Sequence, residues 1–207
     1  MLTLTKETRD QMTPQIAIHL LKDGNLRFVN NLKVNRNLLQ QMNDTSAEQH
    51  PFAIILSCID SRTSAELIFD QGLGDIFSCR IAGNILNDDI IGSMEFACKI
   101  AGAKLVMVLG HTECGAIKGA CDHVELGKLT GLLKKISPAV RLEKTVKENR
   151  NSTNTAFVDE VASLNVKVTM NQIGKKSKIL TEMKTKEEIA VIGGMYDVGT
   201  GVVTFFD

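Results

Sequence analysis

Three short apolar runs, each followed by a segment of helical period, constrain this chain more than any other feature. Phe52-Ala53-Ile54-Ile55-Leu56 precedes a helical pattern near residues 64–69. Asp75-Ile76-Phe77-Ser78-Cys79-Arg80-Ile81 precedes one near residues 89–100, with Gly102 placed to end it. Lys104-Leu105-Val106-Met107-Val108-Leu109 precedes one that starts at about Cys114. Strand-length runs that are apolar on both faces and alternate with helices imply βαβ units around a buried parallel sheet. The expected fold class is α/β, a mostly parallel central sheet flanked by helices.

The flanking segments complete this plan. Residues 1–13 are polar and Thr-rich and read as a loose arm, and Pro14 opens an amphipathic helix through Ile16, Leu20 and Leu21. Asp23-Gly24-Asn25 reads as an interruption before another turn or two at Leu26-Arg27-Phe28-Val29, and residues 41–50 as a polar loop ending at Pro51. Residues 129–185 are helical by pattern, with Val158, Val161, Leu164 and Val168 on an apolar stripe. Glu188-Ile189-Ala190-Val191-Ile192-Gly193-Gly194 reads as a further strand. It continues through residues 196–201 into Val202-Val203-Thr204-Phe205-Phe206 as an edge hairpin.

Composition excludes several function classes. The 207 residues carry 24 basic and 24 acidic side chains, so no excess charge draws the chain to nucleic acid or an anionic membrane. No apolar run approaches the ~20 residues that span a bilayer. Met1-Leu2-Thr3-Leu4-Thr5-Lys6-Glu7 lacks the basic-then-apolar pattern of a signal peptide, and the expected location is cytoplasmic. The glycines form neither dinucleotide-binding nor P-loop patterns. The five cysteines, Cys58, Cys79, Cys98, Cys114 and Cys121, are then thiols, and in a reducing compartment they point to metal binding or catalysis before disulfides.

The chemistry-bearing residues gather at two places. The first apolar run ends in Cys58-Ile59-Asp60-Ser61-Arg62 and the third in His111-Thr112-Glu113-Cys114. Ligands of open parallel sheets collect beyond the carboxyl ends of strands, near the point where successive crossovers diverge. Cys58 and Asp60, two apart on an extended chain, face the same way. His111 and Cys114, three apart across a strand-to-helix turn, can close on one ion, and Cys114 is placed to open a helix whose dipole favours thiolate. Two thiolates and one imidazole suit zinc and leave a fourth position open. Taken singly, each motif is more often a buried small hydrophobe or a hydrogen-bonded core histidine than a ligand. Cys79, Cys98 and Cys121 read as core or half-buried thiols. His19, His50 and His123 read as exposed or capping, with His50 or His123 an available proton carrier to buffer.

Cys58-x-Asp60-Ser61-Arg62, followed 49 residues after Arg62 by His111-x-x-Cys114, resembles the signature of the β-class carbonic anhydrases. Gly74-Asp75-Ile76-Phe77, Arg80-Ile81-Ala82-Gly83-Asn84 and Ser93-Met94-Glu95-Phe96-Ala97 resemble that family's second strand and following helix, and Gly24-Asn25-x-Arg27-Phe28 its N-terminal helices. The resemblance implies one zinc per subunit on Cys58, His111 and Cys114, and reversible hydration of CO2 to bicarbonate by metal-bound hydroxide. It implies a single domain over 1–207, with an N-terminal arm and helices at 1–35, a zinc-binding core at 51–125, and a helical region with C-terminal strands at 129–207. Family members are dimers or larger assemblies with the site at the interface, so a homodimer or homotetramer is expected.

The same resemblance assigns roles. Asp60 orients the hydroxide in the active form, Arg62 holds Asp60 off the metal in a bidentate pair, and in a closed state Asp60 becomes the fourth ligand. Gln49 sits where plant-type members hydrogen-bond a substrate oxygen. Phe77 and Ala82 fall where those members line the CO2 pocket, and Phe96 replaces a frequent tyrosine there. Bicarbonate-inhibited members carry Trp three residues before the first cysteine; here that residue is Ile55, and the chain has no Trp. The expected subgroup is therefore plant-type. The same residues also suit a carbonyl sulfide or carbon disulfide hydrolase, or a catalytically silent zinc- or bicarbonate-binding protein. A thiol redox protein fits less well, because no CxxC is present.

Overall fold

The computed structural model describes residues 3–206; Met1 and Leu2 of the expected arm lie outside the described residues, as does Asp207. Five strands form one sheet in the order β2-β1-β3-β4-β5: β1 (Ala53–Ser57), β2 (Ile76–Arg80), β3 (Leu105–His111), β4 (Ala190–Tyr196) and β5 (Val203–Phe206). The first four run parallel and β5 pairs antiparallel with β4, which gives the expected α/β sheet with an edge hairpin. Every residue of β1 and β3 is buried, because helices cover both faces of these central strands. β2 and β5 form the edges.

The helices are α1 (Lys6–Asp10), α2 (Pro14–Val29), α3 (Leu38–Asp44), α4 (Ala65–Ile68), α5 (Asp88–Glu95), α6 (Gly115–Cys121), α7 (Gly127–Leu133), α8 (Ser137–Leu142), α9 (Thr155–Lys176) and α10 (Lys178–Thr185). α5 continues into a wider turn at Phe96–Ile100. On α9, Val158, Val161, Ala162, Asn165, Val166, Thr169 and Ile173 are buried, a spacing that keeps one stripe on the sheet.

Four expectations change. Residues 1–13, expected as a loose arm, include the helix α1, capped by Thr5. α2 runs through Asp23-Gly24-Asn25 without a break. A Cβ on Gly24 would lie 1.8 Å from the Phe69 carbonyl oxygen, so glycine is there for close approach. Asn25 donates to the carbonyls of Ile68 and Gly201 and accepts from Val203 N–H, tying the helix to the sheet edge. The polar 41–50 loop starts as α3, capped by Asn37. The 129–185 helical stretch is broken between α8 and α9 by a segment built on a buried carboxylate.

That carboxylate is Glu143, 1% exposed. It accepts from Thr145 N–H and Oγ1 and from Val146 N–H, and pairs with Arg150, whose guanidinium lies 4.6 Å above the Phe157 ring. Burial pushes the carboxyl up, but Thr145, Val146 and Arg150 outweigh it and bring the pKa down to about 2. A depressed folded pKa contributes stability above the unfolded value of about 4.3 and loses it as pH falls toward 2. Glu143→Gln should therefore flatten the acid limb. The urea midpoint should drop less between pH 6 and pH 3 than in wild type.

A second buried carboxylate anchors the N-terminal region. Asp70 pairs with Arg27 of α2 and with Arg36, and accepts from Val34 N–H. Burial opposes its ionisation, yet the two guanidiniums and the backbone donor hold the pKa below the usual range. Removing one partner leaves buried charge uncompensated, so Asp70→Ala should cost about 3 kcal/mol in urea unfolding.

Candidate metal centre

The strand order sets the site. From β1 the chain crosses outward to β2 and then back past β1 to β3, so crossovers diverge between β1 and β3. Cys58 follows the last residue of β1 and His111 is the last of β3. Cys114 caps α6 after a turn whose Glu113 has φ 58°, in the left-handed region. The ligand atoms of Cys58, His111 and Cys114 all lie within 4.8 Å of one another, and all three residues are buried.

Two observations test whether zinc fits. His111 Nδ1 lies 2.8 Å from the Thr112 carbonyl, which only accepts, so Nδ1 carries the proton and Nε2 keeps its lone pair. Nε2 is buried and has no hydrogen-bond partner among the described residues. The Cys58 and Cys114 sulfurs are 3.9 Å apart. Two sulfurs on a tetrahedral ion at about 2.3 Å each would be about 3.8 Å apart. An orphaned imidazole nitrogen beside a pair of sulfurs at this spacing is a zinc donor set.

The contact with the Cys114 sulfur, together with the Gly83 N–H, outweighs burial and pulls Cys58 well below the ordinary thiol range. The same contact, with burial, holds Cys114 up. Gly83 N–H lies 3.4 Å from Cys58 Sγ, in the turn Ala82–Asn84 that follows β2. Gly83 has φ 68°, and a Cβ there would meet Ile136 at 2.7 Å.

Asp60 and Arg62 form the expected pair beside the cluster. Arg62 Nε donates to Asp60 Oδ1 at 2.9 Å, Nη2 to Oδ2 at 2.8 Å, and the Arg62 backbone N–H to Oδ1 at 3.0 Å. Arg62 first, then its backbone N–H, holds the Asp60 carboxyl below the usual carboxylate range against the effect of burial. The carboxylate is thus ionised, and its lone pairs toward Arg62 are occupied.

The pocket residues are spread more widely. Ala82 sits in the turn that contacts Cys58. Phe77 and Phe96 pack edge to face with centroids 6.2 Å apart. They line a cleft of about 660 Å³ with Ile54, Cys79 and Ser93, and none of the three metal ligands lines it. Gln49 is exposed between α3 and β1, with no hydrogen bond to the ligand cluster among the described residues.

Cys98 and Cys121 are buried and Cys79 half-buried; burial pushes all three thiols up, Cys98 to about 12. His50 lies 3.5 Å from Glu48, and His19 Nδ1 bonds the Gln15 carbonyl. Sequence reasoning gave no role to Thr63, Arg80 or Asn165. Asn165 donates to the Gly83 carbonyl at 2.8 Å, and its signal was a polar residue on the buried stripe of α9.

A family model described as carbonic anhydrase matches residues 53–203. A carbonic anhydrase of Mycolicibacterium smegmatis is 32% identical over 197 residues, which is 92% of each chain. The β-carbonic anhydrase CafA of Aspergillus fumigatus matches at TM-score 0.71 and 25% identity, over 93% of this chain and 90% of its own. A tetrameric β-carbonic anhydrase of Sordaria macrospora matches at TM-score 0.70 and 20% identity, over 92% and 96%. The family model spans both ligand loops and strands β1 to β4, and the chain belongs to the β-carbonic anhydrase family, as a zinc enzyme that interconverts CO2 and bicarbonate.

Proposed function

We propose that Asp60 and Arg62 control the fourth zinc position in this hydration, and that Gln49, Phe77, Ala82 and Phe96 form its substrate side. The bidentate Asp60–Arg62 pair beside the buried cluster carries this reading. Zinc on Cys58, His111 and Cys114 supplies a Lewis acid that makes water acidic enough to attack CO2. Asp60 would accept a hydrogen bond from the attacking O–H and orient its lone pair toward the carbon. Arg62 fixes the carboxylate for that task. With that pair open, Asp60 would be free to serve as a fourth zinc ligand and close the site.

The apolar cleft of Phe77 and Phe96 and the exposed Gln49 serve the site through self-association. Support comes from the unpaired edge of β2 and from exposed Phe96, Ile100, Leu67 and Leu73. The tetrameric Sordaria relative of the same fold agrees. Gln49 then donates its amide N–H to the developing bicarbonate oxygen. The plant-type assignment rests on Gln49 and on Ile55, which is fully buried in the core between the sheet and α2 and leaves no Trp-based bicarbonate switch. The chain acts as one domain. Five free thiols suit a reducing, cytoplasmic setting, and no helix among the described residues is long and apolar enough to cross a membrane.

Zinc stoichiometry with CO2 hydration rates across pH ~6.5–9 tests the reading, with carbonyl sulfide and carbon disulfide as competing substrates. Asp60→Asn should keep zinc and lose about tenfold or more in hydration rate. Undiminished hydration in that variant would remove the orienting role of Asp60.

A further inference from the structure

We propose that Arg80 is a positioning residue for the metal centre, holding the first ligand loop through its backbone; this rests on the zinc reading above. Arg80 is the last residue of edge strand β2 and pairs in register with Ser57, and the next N–H, of Ile81, donates to the Ser57 carbonyl at 3.0 Å. From that anchor its side chain reaches over the loop. Nε donates to the Cys58 carbonyl at 3.1 Å and Nη2 to the Asp60 carbonyl at 2.5 Å. One guanidinium therefore fixes the backbone of a zinc ligand and of the residue that governs the fourth position.

The loop's other polar support explains why Arg80 is needed. Thr63 Oγ1 lies 3.1 Å from the Cys58 carbonyl and 2.9 Å from the Asp60 carbonyl. A hydroxyl has a single proton and serves one of them at a time. The Asp60 carbonyl also receives Thr63 N–H at 3.0 Å, but among the described residues the Cys58 carbonyl has no such second backbone donor. The planar fork of Arg80 satisfies both carbonyls at once, which a point charge on a flexible stem does not. Gly83 N–H, three residues further on, meets the Cys58 sulfur, so the exit of β2 grips this ligand at both its carbonyl and its side chain.

Outer contacts of this kind typically change metal affinity by ten- to a hundredfold. In the zinc-loaded protein, Arg80→Gln should release zinc to a competing chelator about tenfold to a hundredfold faster than wild type. In the cobalt-substituted protein, its visible ligand-field bands should shift. Arg80→Lys keeps the charge and the stem but not the fork, and should stay nearer to Arg80→Gln than to wild type in both readouts. It also serves as the informative variant if Arg80→Gln does not fold. Wild-type release and spectra in Arg80→Gln, or full recovery in Arg80→Lys, would overturn the proposal. A wild-type protein that binds no zinc would instead overturn the metal reading itself.

Discussion

Cys58→Ser is expected to take zinc from about one ion per chain to below about a tenth, and CO2 hydration down by about a thousandfold or more. The cause is donor chemistry and not packing. Serine nearly matches cysteine in shape at a site only 4% exposed, and its oxygen still lies near the Gly83 N–H. It does not ionise near neutral pH, however, and a three-donor site that loses an anionic sulfur keeps one thiolate and one imidazole. Metal analysis after dialysis, with far-UV circular dichroism to confirm the fold, checks this. A folded, zinc-loaded and active Cys58→Ser would remove Cys58 from the ligand set.

Arg62→Gln should lower hydration about a hundredfold near pH 7, with activity returning toward pH 9. The sign follows from what Arg62 does to Asp60. Its two side-chain donors depress the Asp60 pKa, so the variant's pKa rises toward the ordinary ~3.9, still well below the assay window. The carboxylate stays charged at pH 7 but loses the partner that keeps it away. Only the backbone N–H of residue 62 still holds it, at one oxygen. Asp60 then competes for the fourth position. Rising hydroxide displaces it, which moves the activity profile to the alkaline side. X-ray absorption should show a protein carboxylate on zinc at pH 7 in the variant. If the pair acts as a unit, adding Asp60→Asn to Arg62→Gln will cost less than the two single changes summed. A wild-type pH profile in Arg62→Gln would break the link between the pair and the fourth position.

Much of the fold was legible because the signals were local. Strand runs apolar on both faces, the breaks between them and the helical stripe of α9 are properties of neighbouring residues, and hydrophobic burial acts on them directly. Asp23-Gly24-Asn25 misled because its residues are turn formers taken alone. Their reason is distant: the Phe69 carbonyl against Gly24, and the carbonyls of Ile68 and Gly201 against Asn25. The segment around Glu143 was illegible for the same cause, since its hydrogen bonds converge on one buried carboxylate that periodicity does not register.

The chain by itself determined which residues are able to hold zinc. Cysteine and histidine at the carboxyl ends of two parallel strands are a chemical fact of composition and order. It did not determine that they meet. That required β1 and β3 to be neighbours, with the crossover to β2 lying on the far side. Tertiary structure alone also decided the histidine tautomer, through the Thr112 carbonyl, and the grip of Arg80 on the Cys58 loop. The physical reason is common to all three. A side chain's donor type is written in its identity, but its direction is set by whichever backbone groups the fold brings within about 3 Å of it.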